Sequence, residues 1–422
     1  MATIYFIGGA TAVAQVWTGV ITAVDATPAN NTFTVTIGGI SVTVTGVTSV
    51  AATATALRSA LNASTHPYFS SITWSGTAGD IIGTGDVAGV PFIAALTKAG
   101  AGTGTVTDFA VTTACAGPSH WSTAANWSGG AVPVDADNVI IANISQNICY
   151  GLSQSAINLG YLRIEQTYTG KIGLPSFKFA TTGTDAEVFN TSFPEYREQY
   201  LDIDFDTCDI GQHFGTGAPS GSRRIKIKNS TTNASVITVH NTGSAPEETG
   251  MTAVQLITGH ADHDVYVRGA RAGVGIATGK PGETATVGTV AVSAEDTQTQ
   301  VIIGPGTTIT DFSQNGGNNQ LQAAATITSV LVNDGILTLD GDYTITTLTV
   351  NGGTVYDNHK KSSGNAVTTA TINGGSVDLS GSSEPRTWAT VNPDGGSIKA
   401  DFSVVTFTTT DEPAGLKTIQ VS

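Results

Sequence analysis

Apolar and polar positions alternate through most of this 422-residue chain, and the pattern changes character near residue 119. In TFTVTIGGISVTV, alternation from Thr32 to Ile37 and from Ile40 to Val44 flanks Gly38-Gly39. Two glycines accept the positive φ angles of a tight primed turn, so this segment predicts a β-hairpin. Ser49 to Ala63 is Ala-rich with Leu57 and Leu61 four apart, the spacing of one helical face, and Ser49 is placed to cap it. Strands are predicted at Phe69–Trp74, Val90–Leu96 and Thr105–Thr113, with AGAGTG, Ala99 to Gly104, as a loop. These elements define an α/β module over residues 13–116, between a short strand at 1–12 and a body at 117–422.

Beyond Ser119 no helix is expected, and short alternating runs are separated by Gly, Asn and Asp. Near the C-terminus the pattern repeats in register around Gly335, Gly353, Gly375 and Gly396, at spacings of 18, 22 and 21 residues. Five before each Gly stand Val330, Leu348, Ala370 and Val391; two after stand Leu337, Val355, Val377 and Ile398. The columns between them are mostly polar, which is in-out alternation. Two before the Gly lie Asn333, Asn351, Asn373 and Asp394, side chains suited to turns and to left-handed backbone. One such coil cannot bury its apolar face alone, whereas a stack can. The expected fold is therefore mainly β: a right-handed parallel β-helix carrying a small N-terminal α/β module. Tandem β-sandwiches are the alternative. The middle segments, from DNVIIAN to QVIIGPG, fit earlier and less regular coils.

Composition narrows the functional classes. Lys plus Arg number 18 against 33 for Asp plus Glu, a formal charge of -15, the wrong sign for a phosphate groove, so no nucleic-acid partner is expected. Charged residues are only 12% of the chain while 40% is hydrophobic, which suits an ordered β-protein coated with hydroxyls rather than a disordered one. Cys115, Cys149 and Cys208 show no metal or redox spacing and read as buried small hydrophobes. MATIYFIGGATAVAQVW lacks the features of a secretory signal and no 18-residue apolar span occurs, so synthesis in a cytoplasm and no membrane partner are expected.

Two segments carry a family resemblance. MATIYFIGGAT, and HWSTAANWSGGAVPVDADNVIIAN from His120 to Asn143, resemble the opening of β-helical virion structural proteins of tailed bacteriophages. The module, with ALRSALNAS, ITWSG and TGDVAGVPF, is similar to small domains of phage surface and tail proteins. The resemblance implies a late virion protein made in the host cytoplasm, associating with itself as a homotrimer and with a major capsid or other virion protein. A capsid decoration or cement role is the first expectation. A tail fibre or tailspike that binds host glycans, with or without depolymerase activity, is the second, and a bacterial surface adhesin the third.

Candidate residues are few. Asp202, Asp204 and Asp206 alternate with Leu201, Ile203 and Phe205, placing three carboxylates on one strand face about 7 Å apart. That geometry suits a solvated face first, and a glycosidase pair or hard-cation site second. Arg223, Arg224, Lys226 and Lys228 form the one basic stripe, expected to be solvated or to dock an acidic patch. His260, Asp262, His263 and Asp264 read as a polar loop rather than a metal site, because adjacent strand residues point apart. Trp121, Trp127 and Pro133 are expected to plug the first coil. No phosphate-loop, nucleophile-elbow, zinc-protease or calcium-repeat motif occurs, so neither catalysis nor a cofactor is expected.

Overall fold

The computed structural model describes residues 2–175, 178–179, 187–188, 199–212, 223–240, 242, 246, 251–279, 282–294, 298–323, 326–360, 365–410 and 419–421. Among the described residues strands hold 55% and helices 7%, which makes the fold mainly β.

The chain starts with a strand, Thr3–Tyr5, that pairs in parallel with Asn138–Ile141, far along the sequence. What lies between has its own core. Val16–Ala23, Ile72–Ser75, Asp80–Gly85 and Thr105–Thr113 form a four-stranded antiparallel sheet; Thr32–Ile37, Ile40–Thr45 and Ala95–Ala99 form a three-stranded one. Helix Val50–Ala63 lies against them, burying Thr53, Ala54, Leu57 and Leu61, and the Ser49 hydroxyl accepts the Ala52 amide at 3.2 Å as its N-cap. Gly38 and Gly39 both adopt positive φ, +57° and +78°, as the hairpin turn requires. Phe33, Leu57, Phe69, Trp74 and Phe109 belong to one closed core. The two ends of the module meet where Val13 and Ala116 bridge in antiparallel fashion, so the module leaves and re-enters the body at one place.

Several local expectations shift. Phe69 lies not in a strand but in a short helix, Pro67–Ser70, because Pro67 starts a turn that drops Phe69 into the core; the strand begins at Ile72. The strand expected from Val90 begins at Ala95. Val16–Ala23 and Asp80–Gly85 are additional strands whose Gly and Thr content weakened their alternation.

The body is built from parallel strands. Val330 lies beside Leu348, Leu348 beside Ala370, and Ala370 beside Val391; on the facing strands Leu337, Val355, Val377 and Ile398 follow one another likewise. Each of these residues is buried. From Leu201 to Val421 most pairings link strands two apart in the chain, but consecutive strands also pair directly, as Thr307–Leu321 does with Thr326–Leu339 and Thr326–Leu339 with Thr344–Val350. Traced through every neighbour, the described strands close into one circuit, a closed parallel barrel with additional pairings rather than a plainly open solenoid. A single hydrophobic core runs along it from Ile4 to Val405. Gly335, Gly353 and Gly375 turn the corners at φ of +86°, +73° and +72°, whereas Gly396 has no positive φ, so the fourth repeat turns differently.

Candidate functional site

The structure separates the candidate residues into three kinds: those that hold neighbouring rungs together, those that are buried, and those that lie in the corners. The three aspartates belong to the first kind. Along Leu201–Phe205 the apolar residues are buried and Asp202 and Asp204 half-exposed, with Asp206 exposed. Each carboxylate bonds a neighbouring rung: Asp202 pairs with Lys228 at 2.7 Å, Asp204 accepts the Ser230 amide at 2.9 Å, and Asp206 accepts the Asn158 side-chain amide at 3.2 Å. They act as ties between neighbouring segments of the body. Among the described residues no group of three His, Cys, Asp or Glu is placed to hold a metal ion.

The basic stripe requires correction. Arg223, Arg224 and Lys226 are buried rather than solvated, and only Lys228 reaches the surface. The Arg223 guanidinium donates to the Gln166 carbonyl at 2.7 Å, and that of Arg224 to the Gly173 carbonyl through two nitrogens, at 3.2 and 3.0 Å. The Lys226 ammonium sits 5.8 Å from the Tyr200 ring centroid. Burial holds the Arg223 guanidinium below its ordinary pKa. Arg223, Arg224 and Lys226 thus brace the body from within.

His263 is fully buried while Asp262 is exposed, and burial lowers the imidazole's pKa. His260 Nδ1 lies 3.4 Å from Asp262 in a turn, whereas His263 and Asp264, expected in the same polar loop, open the strand His263–Gly269. Of the cysteines, Cys149 and Cys208 are buried as expected, and burial pushes the Cys208 thiol well up. Cys115 is only half-buried, a departure from expectation; its thiol is pushed up to about 11, chiefly by desolvation, and is therefore a poor nucleophile.

Trp121 and Trp127 are buried within the long core. Their rings meet edge to face at 4.6 Å, Phe6 packs on Trp127 at 5.2 Å, and the Trp127 indole donates to the Trp121 carbonyl at 2.8 Å. Beside them lies the seam with the module. His120 Nε2 contacts the Gly89 carbonyl at 3.0 Å, its ring packs on Tyr150, and Val90 rests on Cys149, Tyr150 and Leu174. Desolvation lowers the pKa of His120, favouring the neutral ring.

At the corners, Asn333 donates to Asn315 at 2.7 Å, Asn351 to Asn333 at 2.7 Å, and Asn373 to Asn351 at 2.8 Å. Each amide both donates and accepts, so one side-chain type can repeat without limit.

Two networks were not singled out from the sequence. Tyr161 donates to Asp209 at 2.5 Å, and His240 lies 3.8 Å from the same carboxylate, all on the outer face. Asp357, fully buried, accepts from Tyr343 at 2.6 Å, Arg386 at 2.7 Å, Trp388 at 3.3 Å and the His359 amide at 3.0 Å. Four donors on one carboxylate make a buried charge tolerable. Its only sequence signal was an Asp and an Arg at positions where neighbouring coils are apolar.

The arrangement defines a mainly β protein whose polar side chains chiefly bind the chain to itself. No family model, curated protein or solved structure matches this chain.

Proposed function

We propose that this chain is a bacteriophage virion structural protein, a capsid decoration or cement protein, and that its parallel body is a right-handed β-helix. The observation that carries the reading is a long parallel-stranded body joined to a separately cored module at one end. Such a body suits a protruding rod, and the module and starting strand suit attachment to a shell or to sister subunits. Parallel pairing at successive rungs supports a helix of coils over tandem sandwiches, whose sheets are antiparallel. The right hand follows from the strong preference of parallel crossovers within one sheet.

The function is mechanical: many shallow contacts, multiplied over copies that associate with one another and with a capsid protein, gain avidity without a strong single site. The rung-to-rung bonds of Asp202, Asp204 and Asp206 favour this reading over glycan cleavage by those residues. Immunogold labelling or cryo-electron microscopy of intact particles tests it. Many copies over the head are expected; a few copies confined to the tail would replace decoration with the tail-fibre reading.

A further inference from the structure

Five successive strands of the body present one outward face without an ionisable side chain. Residues 326–332, 344–350, 365–372, 386–393 and 405–410 contain a single charged residue, Arg386, and its side chain is turned inward onto Asp357. In one column of this face Ser329, Thr347, Thr369, Thr390 and Thr409 lie side by side on consecutive rungs. Thr349 and Thr371 are neighbours in the next column. Elsewhere the same body carries charge: Asp340 with Lys360 and Asp378 with Lys399 on its other side, and Asp202 with Lys228 on earlier rungs.

We propose that this hydroxyl face is where a second copy of the chain docks, with the Ser/Thr columns turned toward a rotation axis. This rests on the self-association in the reading above and adds the surface. Copies of net charge -15 repel one another, and side chains beside a rotation axis meet their own counterparts. A carboxylate there meets a carboxylate; a hydroxyl, being donor and acceptor at once, meets its own partner. The neutral face is thus the self-complementary one. Five strands about 4.8 Å apart and about seven residues long present on the order of 500 Å². A standard interface buries about 800 Å² per partner, so association through this face alone is weak and concentration-dependent.

Sedimentation velocity and light scattering on the full chain, over low to high micromolar concentration, test the proposal. The wild type should associate as concentration rises. Thr347→Glu with Thr368→Glu, both at exposed positions, should weaken association roughly tenfold or more, since like charges are then brought together at the interface. The control Thr338→Glu, on the facing strand and equal in added charge to Thr347→Glu alone, should leave it within about twofold where Thr347→Glu alone weakens it further, which keeps the effect of added net charge separate from the effect of position. Thr347→Ser with Thr368→Ser should associate as the wild type does. Should the double Glu variant misfold by circular dichroism, Thr347→Glu alone carries the same comparison. A wild type that stays monomeric throughout, or equal weakening by the control, overturns the proposal. A chain that associates through this face yet is absent from capsids leaves the inference standing and removes the decoration reading; a monomer that still coats capsids does the reverse.

Discussion

The early and late rungs of the body reach the same parallel pairing by different means. From Ser153 to about Ala294 the ties between coils are individual: Tyr161 to Asp209, Asp202 to Lys228, Arg224 to the Gly173 carbonyl. From Asn315 to Asn373 one tie is copied from rung to rung, an amide bonding an amide. Individual ties each need a matched partner and lose their value when either member changes. Copied ties are interchangeable, and the loss of one leaves its neighbours intact. Regularity therefore distributes stability, while irregularity concentrates it at a few residues.

The comparison can be broken most severely where the regular half departs from its own rule. Arg386→Ala strands the Asp357 carboxylate in the core, and leaving a buried charge uncompensated costs about 3–5 kcal/mol. Because stability need not be uniform across a long body, the loss is best read by hydrogen exchange around Tyr343, Asp357 and Arg386, where protection should be lost first. Next, Gly353→Ala places a side chain at φ +73° and aims its Cβ at the Gly335 carbonyl, so both left-handed strain of about 1–2 kcal/mol and a backbone clash oppose it. A lowered unfolding midpoint is expected. Gly269→Ala, at φ +80° with open space around the Cβ, should show the strain alone and a smaller drop.

Acid should act mainly on the seam and the earlier rungs. His120 and His263 have pKa values depressed by burial, so the folded chain binds fewer protons than the unfolded one just below the ordinary value of 6.5. Their contribution to stability is present above that pH and is lost as pH falls through 6.5 toward the folded pKa values, at up to about 1.4 kcal/mol per pH unit for each histidine. Denaturation midpoints measured from pH 8 to 5 should fall, and less steeply in His263→Asn.

Smaller effects sharpen the contrast. Asn351→Ala removes one amide bond on each side of it, at an expected cost of about 1 kcal/mol, and protection at the Asn315–Asn333 rung should persist. Lys228→Ala should change stability by less than about 1 kcal/mol, because its pair with Asp202 is partly exposed.

The two halves also differ in how much of them could be read from the sequence. The late rungs were legible because their spacing is set by glycines and amides whose backbone demands are stringent: Gly335, Gly353 and Gly375 sit at positive φ, and the residue columns flanking each of them align in register. In the hairpin and helix of the module, Gly38-Gly39 and Ser49 carried equally direct signals. Arg223, Arg224 and Lys226 misled for a definite reason. Alternation along IKIK tells which side of a strand a residue occupies, but says nothing about whether another segment covers that side. Tyr200 and the Gly173 carbonyl, distant in sequence, lie over this one. Phe69 misled in the opposite way, since a large apolar residue after Pro67 fits a buried helical turn as well as a strand. The Asp357 network stayed hidden because its four donors come from three separate strands and turns, a convergence that no local pattern records.

Paired strands of the body lie 18 residues apart at one step and 22 at the next, yet both steps keep their parallel register. On the β-helix reading proposed above, advance along the body would therefore depend on the number of coils and not on their size, each coil adding one strand spacing, about 4.8 Å. Such a body would be a ruler with fixed graduations: gaining or losing a whole coil would reset how far its tip stands from its base in equal steps, while changes within a turn would alter only what is displayed along the way.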